Sequence, residues 1–122
     1  MVKFMQCIRR RPALTAVEFR RYWDHYKTLW LELARASQAK RMVTSIGLDI
    51  DSNNTIQLAR GTRVAFDGVL ELWWESGEQI TKYIQDPALR DLLASMRRLQ
   101  EELVDMTDSS FFFAAEEDHP LD

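Results

Sequence analysis

A carboxylate among aromatic rings is a natural proton acceptor, and this chain places one in Val69-Leu70-Glu71-Leu72-Trp73-Trp74. Side chains alternate along an extended strand, so Glu71 shares a face with Val69 and Trp73. Desolvation raises a carboxyl pKa, and a base poised nearer neutrality suits proton abstraction. The same strand face could instead meet a second subunit, where Glu71 would simply pair with an Arg. Lys27 offers a complementary cation. It lies about 90° from the centre of an apolar helical stripe, where the stem follows the core and the ammonium reaches a cleft mouth. There it either snorkels into water or faces an enolate or phenolate as a fixed charge, without proton transfer. Gln6 and Thr44 project an amide and a hydroxyl from apolar strands. Such groups orient a ligand carbonyl or bond to nearby backbone. Tyr22, Trp23 and Tyr26 at helical spacing, and Trp73 on its strand, supply flat surfaces for a core or for a cleft receiving an aromatic molecule.

Other chemistries lack their parts. The two histidines, His25 and His119, form no i, i+4 pair, and Cys7 is the lone cysteine. No ligand set for a metal is present, so no metal is expected. His25 reads as a surface residue and His119 as part of a polar tail. A single cysteine cannot form an intramolecular disulfide, which fits a reducing compartment. The formal charge of -3 provides no basic face for nucleic acid or anionic lipid. No signal-peptide core and no long apolar run occur, so a cytoplasmic protein is expected, with no membrane partner. A chain of 122 residues is read as one domain spanning 1–122.

The elements that must hold these residues follow from periodicity. Val2 to Arg9 reads as a strand apolar on two sides, Phe4 and Ile8 on one and Met5 and Cys7 on the other. Thr15 with Glu18 makes a capping box, opening a long helix whose apolar stripe is Phe19, Trp23, Tyr26, Trp30 and Leu33. Lys40 to Ile50 alternates with period two and reads as a second strand. Asp51 to Asn54 is loop chemistry, and the weakly periodic stretch on to Ala65 holds one helical turn near Ile56 to Ala59. Val69 to Trp74 is a third strand. Ser76 and Gln79 repeat the capping-box spacing before a short helix, and Asp86-Pro87 starts another that runs to about Met106. Ser109 to Ala115, with three successive Phe, reads as a strand buried on both faces. The order predicts an α+β fold: a ferredoxin-like, antiparallel four-stranded sheet with helices on one face. The first, third and fourth strands are apolar on both faces, and a second copy is the simplest cover for the face the helices leave bare.

The stretches IRRRPALTAVEFRRYW from Ile8 to Trp23, FDGVLELWW from Phe66 to Trp74, and SSFFFAAEE from Ser109 to Glu117 together resemble the EthD-type dimeric α+β barrel family. The resemblance implies a homodimer whose two sheets form a barrel, with a cleft between sheet and helices in each subunit. It implies a cofactor-independent enzyme acting on a small aromatic or polyketide-like molecule by cyclisation, isomerisation, dehydration or oxidation. One position departs from the family pattern. Lys27 stands where relatives commonly carry a His, and the following Pro is absent, so chemistry that depends on that His does not transfer. The alternative is a non-catalytic binding or accessory module on the same scaffold. A pocket holding Gln6, Lys27 or Glu71 would speak for the enzyme, and a cleft filled by the chain's own Trp and Tyr for the module.

Overall fold

Strand β1 (Val2–Ile8) leads into helix α1 (Ala16–Ala36), then β2 (Arg41–Ile46), α2 (Asp51–Arg60) and β3 (Gly68–Trp74). Helices α3 (Gly77–Ile84) and α4 (Arg90–Leu103) and strand β4 (Ser110–Ala115) complete this computed structural model, which describes residues 1–122. The capping box at the start of α1 is fully formed. Thr15 Oγ1 accepts from the Glu18 amide at 3.1 Å, and Glu18 Oε1 accepts from the Thr15 amide at 3.1 Å, so two of the donors orphaned at a helix start are satisfied reciprocally. The spacing at Ser76 and Gln79 makes no such box: Ser76 gives no side-chain cap, and Gln79 Oε1 is buried without a partner. Asp86 caps a 3₁₀ turn at Pro87–Leu89 by accepting from the Ala88 amide at 2.9 Å, and α4 follows. That helix stops at Leu103, short of Met106, because Val104 turns extended and bridges to Arg10.

Two differences from the sequence reading concern the middle of the chain. The second strand is shorter than Lys40 to Ile50, and Asp51 to Arg60 forms a helix where a loop is expected. No residue of α2 is buried, so it leaves no apolar period to be read, and it ends where Gly61 takes a left-handed φ of 64°.

The sheet order is β2-β3-β1-β4 with every neighbour antiparallel, the ferredoxin-like arrangement. Register sorts the side chains into two faces. Val2, Phe4, Gln6 and Ile8 stand opposite Trp74, Leu72, Leu70 and Gly68, and this row meets the Phe19, Trp23, Tyr26 and Trp30 stripe of α1 and the Met96, Leu99 and Leu103 stripe of α4 in one core. The intervening row, Met5, Cys7, Val69, Glu71 and Phe112 among them, points away from both helices. No segment of the chain buries it throughout. Phe112, expected on a strand buried on both sides, is 44% exposed, because a single chain has only enough helix for one face. No helix is long and apolar enough to cross a membrane.

Candidate functional site

The sheet separates the two residues best suited to acid–base and electrostatic work. Glu71 lies on the open face, and Lys27 lies on α1, on the helix side. They share no cleft, which corrects the expectation that they act together. The physical reason is parity: Leu70, Leu72 and Trp74 take the helix side, and their neighbour Glu71 must then face away. Within the chain its partner is Lys3, 2.9 Å away and equally sheltered from solvent. Lys3 Nζ also reaches Glu116 at 3.8 Å and sits 5.1 Å from the Trp73 ring centroid. The Arg41 guanidinium lies 4.7 Å from the same ring, and Trp73 Nε1 donates to Glu116 Oε2 at 2.9 Å. Trp73 is therefore nearly fully buried under long charged side chains, with cation–π contacts in place of a helix. The neighbouring Cys7 thiol is pushed above its ordinary pKa, first by burial and then by the Glu71 charge.

On the helix side, Gln6 and Tyr26 are both fully buried and meet directly, with Tyr26 Oη donating to Gln6 Oε1 at 2.6 Å. Gln100 Oε1, from α4, is 3.3 Å from the same hydroxyl, and Gln100 Nε2 donates to Met106 Sδ at 3.6 Å. Burial raises the Tyr26 pKa well above its ordinary value, so the phenol stays protonated. Gln6 Nε2, Trp23 Nε1 and Trp30 Nε1 are buried without a hydrogen-bond partner. Reversing the Gln6 amide would let Nε2 donate to Tyr26 Oη and free Oε1 instead, so one end of the amide is unpaired either way.

The remaining candidates are core or rim. Trp23 stacks on Phe19 at 5.6 Å between centroids and presses its benzo ring onto Gly68 so closely that a Cβ there would lie 2.8 Å from it. It is a packing residue, not a cleft wall. Tyr22 is half-buried at the core margin, and Thr44 is half-buried opposite Leu70 on the helix-side row of β2. Lys27 is half-buried and bonds to Asp24 at 3.0 Å, within its own helix. His25 is exposed.

The open space on the helix side lies elsewhere. A groove of about 870 Å³ runs between α3 and the β1–β4 strands, lined by Val2, Ile80, Thr81, Ile84, Gln85 and Phe113, with Glu78 and Lys82 also bordering it. Its volume is in the range of small-molecule sites. Phe4 packs next to Phe113, 4.9 Å from it and 6.0 Å from Trp30 between ring centroids. Behind Phe4 on the same strand face comes Gln6. The sequence reading missed this groove, although the alternation of Val2, Phe4 and Gln6 was visible. What was invisible is that α3 stands off from β4 and leaves Phe113 and Ile84 more than half exposed. A second groove of about 530 Å³ at the opposite end of the sheet is lined by charges, several of which pair with one another: Arg10 with Asp67 at 2.6 Å and Arg63 with Asp108 at 3.1 Å.

No protein-family model matches the sequence, and no curated protein does. Solved structures do match in fold. A dimeric protein of unknown function and ferredoxin-like fold from Bacteroides fragilis superposes with a TM-score of 0.63 at 10% identity, covering 93% of each chain. An EthD family protein from Bacillus halodurans gives 0.63 at 10% identity, covering 96% of this chain and 99% of that one. SnoaB, a cofactor-independent oxygenase from Streptomyces nogalater, gives 0.53 at 12% identity over 97% and 94%. At these identities the likeness is one of fold, and it is the fold the sequence resemblance implied.

Proposed function

We propose that this chain is a homodimeric binding protein, acting in the cytoplasm, for a small and largely apolar organic molecule held in the groove between α3 and the β1–β4 strands. The carrying observation is the groove itself. It has the volume of a ligand site and an apolar lining of Val2, Ile80, Ile84 and Phe113. Glu78, Thr81, Lys82 and Gln85 add polar groups to the same lining. The layer between α1 and the sheet is already filled by Trp23 and Tyr26, which favours binding over chemistry in the place where the family resemblance puts a catalytic cleft. Dimerisation through the open sheet face is supported by its exposed Phe112 beside the half-buried Met5 and Val69, and by the dimeric Bacteroides fragilis protein of like fold. The two facing sheets would then form a barrel.

The test uses 2-ethylnaphthalene as a probe of the groove, followed by quenching of tryptophan fluorescence. Saturable binding is expected, and Ile84→Glu should weaken it at least about tenfold by setting a charge against the apolar lining. Ile84 is 52% exposed, so the substitution leaves the core intact. Equal binding by wild type and Ile84→Glu would move the site elsewhere. A second reading, a cofactor-free enzyme for aromatic substrates, is favoured by the likeness to SnoaB. It predicts substrate-dependent oxygen uptake or product formation by the purified protein, and Glu71→Gln separates the readings further, because on the binding reading that change leaves ligand affinity untouched.

A further inference from the structure

A helix as short as α2 is marginal in water unless a packed face holds it. Within this chain it has no such face: none of its residues is buried, and Ile50, its N-cap, supplies no side-chain hydrogen bond. The helix is also turned inside out. Asn53 and Gln57, one turn apart, are its half-buried side chains, with Asn53 Nδ2 donating to the Leu48 carbonyl at 2.7 Å and Gln57 lining the charged groove. Ile56 and Leu58 point to solvent. The approach to the helix repeats the pattern. The alternation of Met42, Thr44, Ile46, Leu48 and Ile50 runs on past the end of β2 at Ile46, and Leu48 and Ile50 stand exposed with no strand beside them. The two ends of this stretch are nevertheless fixed. The Gly47 amide donates to the Asp67 carbonyl at 3.2 Å, and Arg9 Nη1 donates to the Val64 carbonyl at 2.7 Å.

We infer that residues 46–64 form an arm that packs on a second copy of this chain, with Ile46, Leu48, Ile50, Ile56 and Leu58 as its contact surface. This rests on the homodimer proposed above and adds to it an interface outside the sheet. A stable dimer needs more than the open sheet face supplies. Permanent homodimer interfaces bury roughly 2,000 Å² or more and are apolar at their centre. The open face offers Phe112, Met5 and Val69 beside a charged cluster of Lys3, Glu71, Arg41 and Glu116. Aliphatic side chains on the arm provide the apolar area that this face lacks. Topology makes the two surfaces continuous. Strand β2 is an edge of the sheet, so an arm leaving its end starts at the border of the open face, beside a copy seated there. Charge points to the same occupant. Asp49 and Asp51 balance Arg60 and Arg63, and a surface without net charge attracts neither nucleic acid nor anionic lipid.

Hydrogen exchange read by mass spectrometry follows the α2 amides in the unaltered chain. In the dimer they should exchange at least about tenfold more slowly than in monomer obtained by dilution or by Phe112→Lys, because a helix without buried side chains opens easily until something covers it. Ile56→Glu combined with Leu58→Glu sets two charges against the partner while keeping good helix formers in α2. The dimer dissociation constant, from sedimentation equilibrium, should rise at least about tenfold, with the circular dichroism of the monomer unchanged. Leu31→Glu, at an exposed apolar residue of α1, should leave the constant as it is. If wild type dimerises but α2 exchanges equally fast in dimer and monomer, or if the double variant dimerises as tightly as wild type, the arm faces another partner or none. The inference is then wrong while the sheet-face dimer stands. A wild type that stays monomeric overturns both, and leaves ligand binding in the α3 groove to its own test. Should the double variant fail to fold, the exchange comparison on wild type decides.

Discussion

Deleting the Tyr26 hydroxyl strands the Gln6 carboxamide, whose hydrogen-bond partner is that phenol. Tyr26→Phe should therefore cost about 1–3 kcal/mol of stability, the usual loss when a buried polar group is orphaned, measured by urea denaturation at neutral pH. The same residue sets an alkaline limit. Its folded pKa is raised above the ordinary 10.0 by burial, so the folded state holds the proton more tightly than the unfolded chain. Its contribution is complete below pH 10 and is lost as the pH climbs above that value. Cys7, raised from 9.0, acts in the same direction and begins earlier. Stability should thus decline from about pH 9 upward, and the wild-type slope above pH 10 should exceed that of Tyr26→Phe by at most about 1.4 kcal/mol per pH unit. Parallel slopes would show that Tyr26 is not buried as described. The pairing of Gln6 with Tyr26 was half legible in the sequence: Gln6 stood out as a polar group on an apolar strand, and Tyr26 only as a ring of the helical stripe. The separation of Glu71 from Lys27 was not, since strand parity puts Glu71 with Val69 and Trp73 but says nothing of which face the helices take.

Close approaches between elements give sharper expectations than propensity does. A Cβ on Gly68 would meet the Trp23 ring at 2.8 Å, and one on Gly47 would meet the Phe66 carbonyl oxygen at 2.1 Å. Gly68→Ala should cost about 1–3 kcal/mol by overpacking, and Trp23→Phe, by giving back room, should make the double variant less unstable than the two losses summed. Strict additivity would mean that the ring and the strand do not touch. Gly47→Ala opposes backbone rather than a movable ring, so no second-site change of this kind should rescue it. Legibility at this scale followed burial. The α1 stripe and capping box were readable because the core and the cap demand particular residue types. Helix α2 was unreadable because it buries none of its residues and imposes no pattern.

For the molecule as a whole, the open sheet face decides the oligomeric state. Light scattering at micromolar concentration should return twice the mass of one chain. Phe112→Lys, on the exposed row, should give a folded monomer, with unchanged circular dichroism and little loss of chain stability. Trp73→Ala should instead cost about 3–5 kcal/mol even in the monomer, because Trp73 is 4% exposed under Lys3, Arg41 and Glu116 within a single chain. A monomeric wild type, or a dimeric Phe112→Lys, would show that this face is left bare. The doubly apolar strands made an uncovered face legible. The ion pair of Lys3 with Glu71 at its centre was not, since register across β1 and β3 joins residues far apart in the chain.

That register also orders events in time. Strand β1 precedes both of its neighbours in the chain, yet it runs between β3 and β4, with Ile8 opposite Gly68 and Val2 opposite Ala115. Neither neighbour exists while the first strand leaves the ribosome. An unpaired, doubly apolar segment must therefore wait for β3 and β4, and its final partner is the last strand of this sheet. Sheet closure is then a late, long-range step, slow by its contact order. In that interval Val2–Ile8 is an unpaired apolar strand, the kind of surface prone to aggregation.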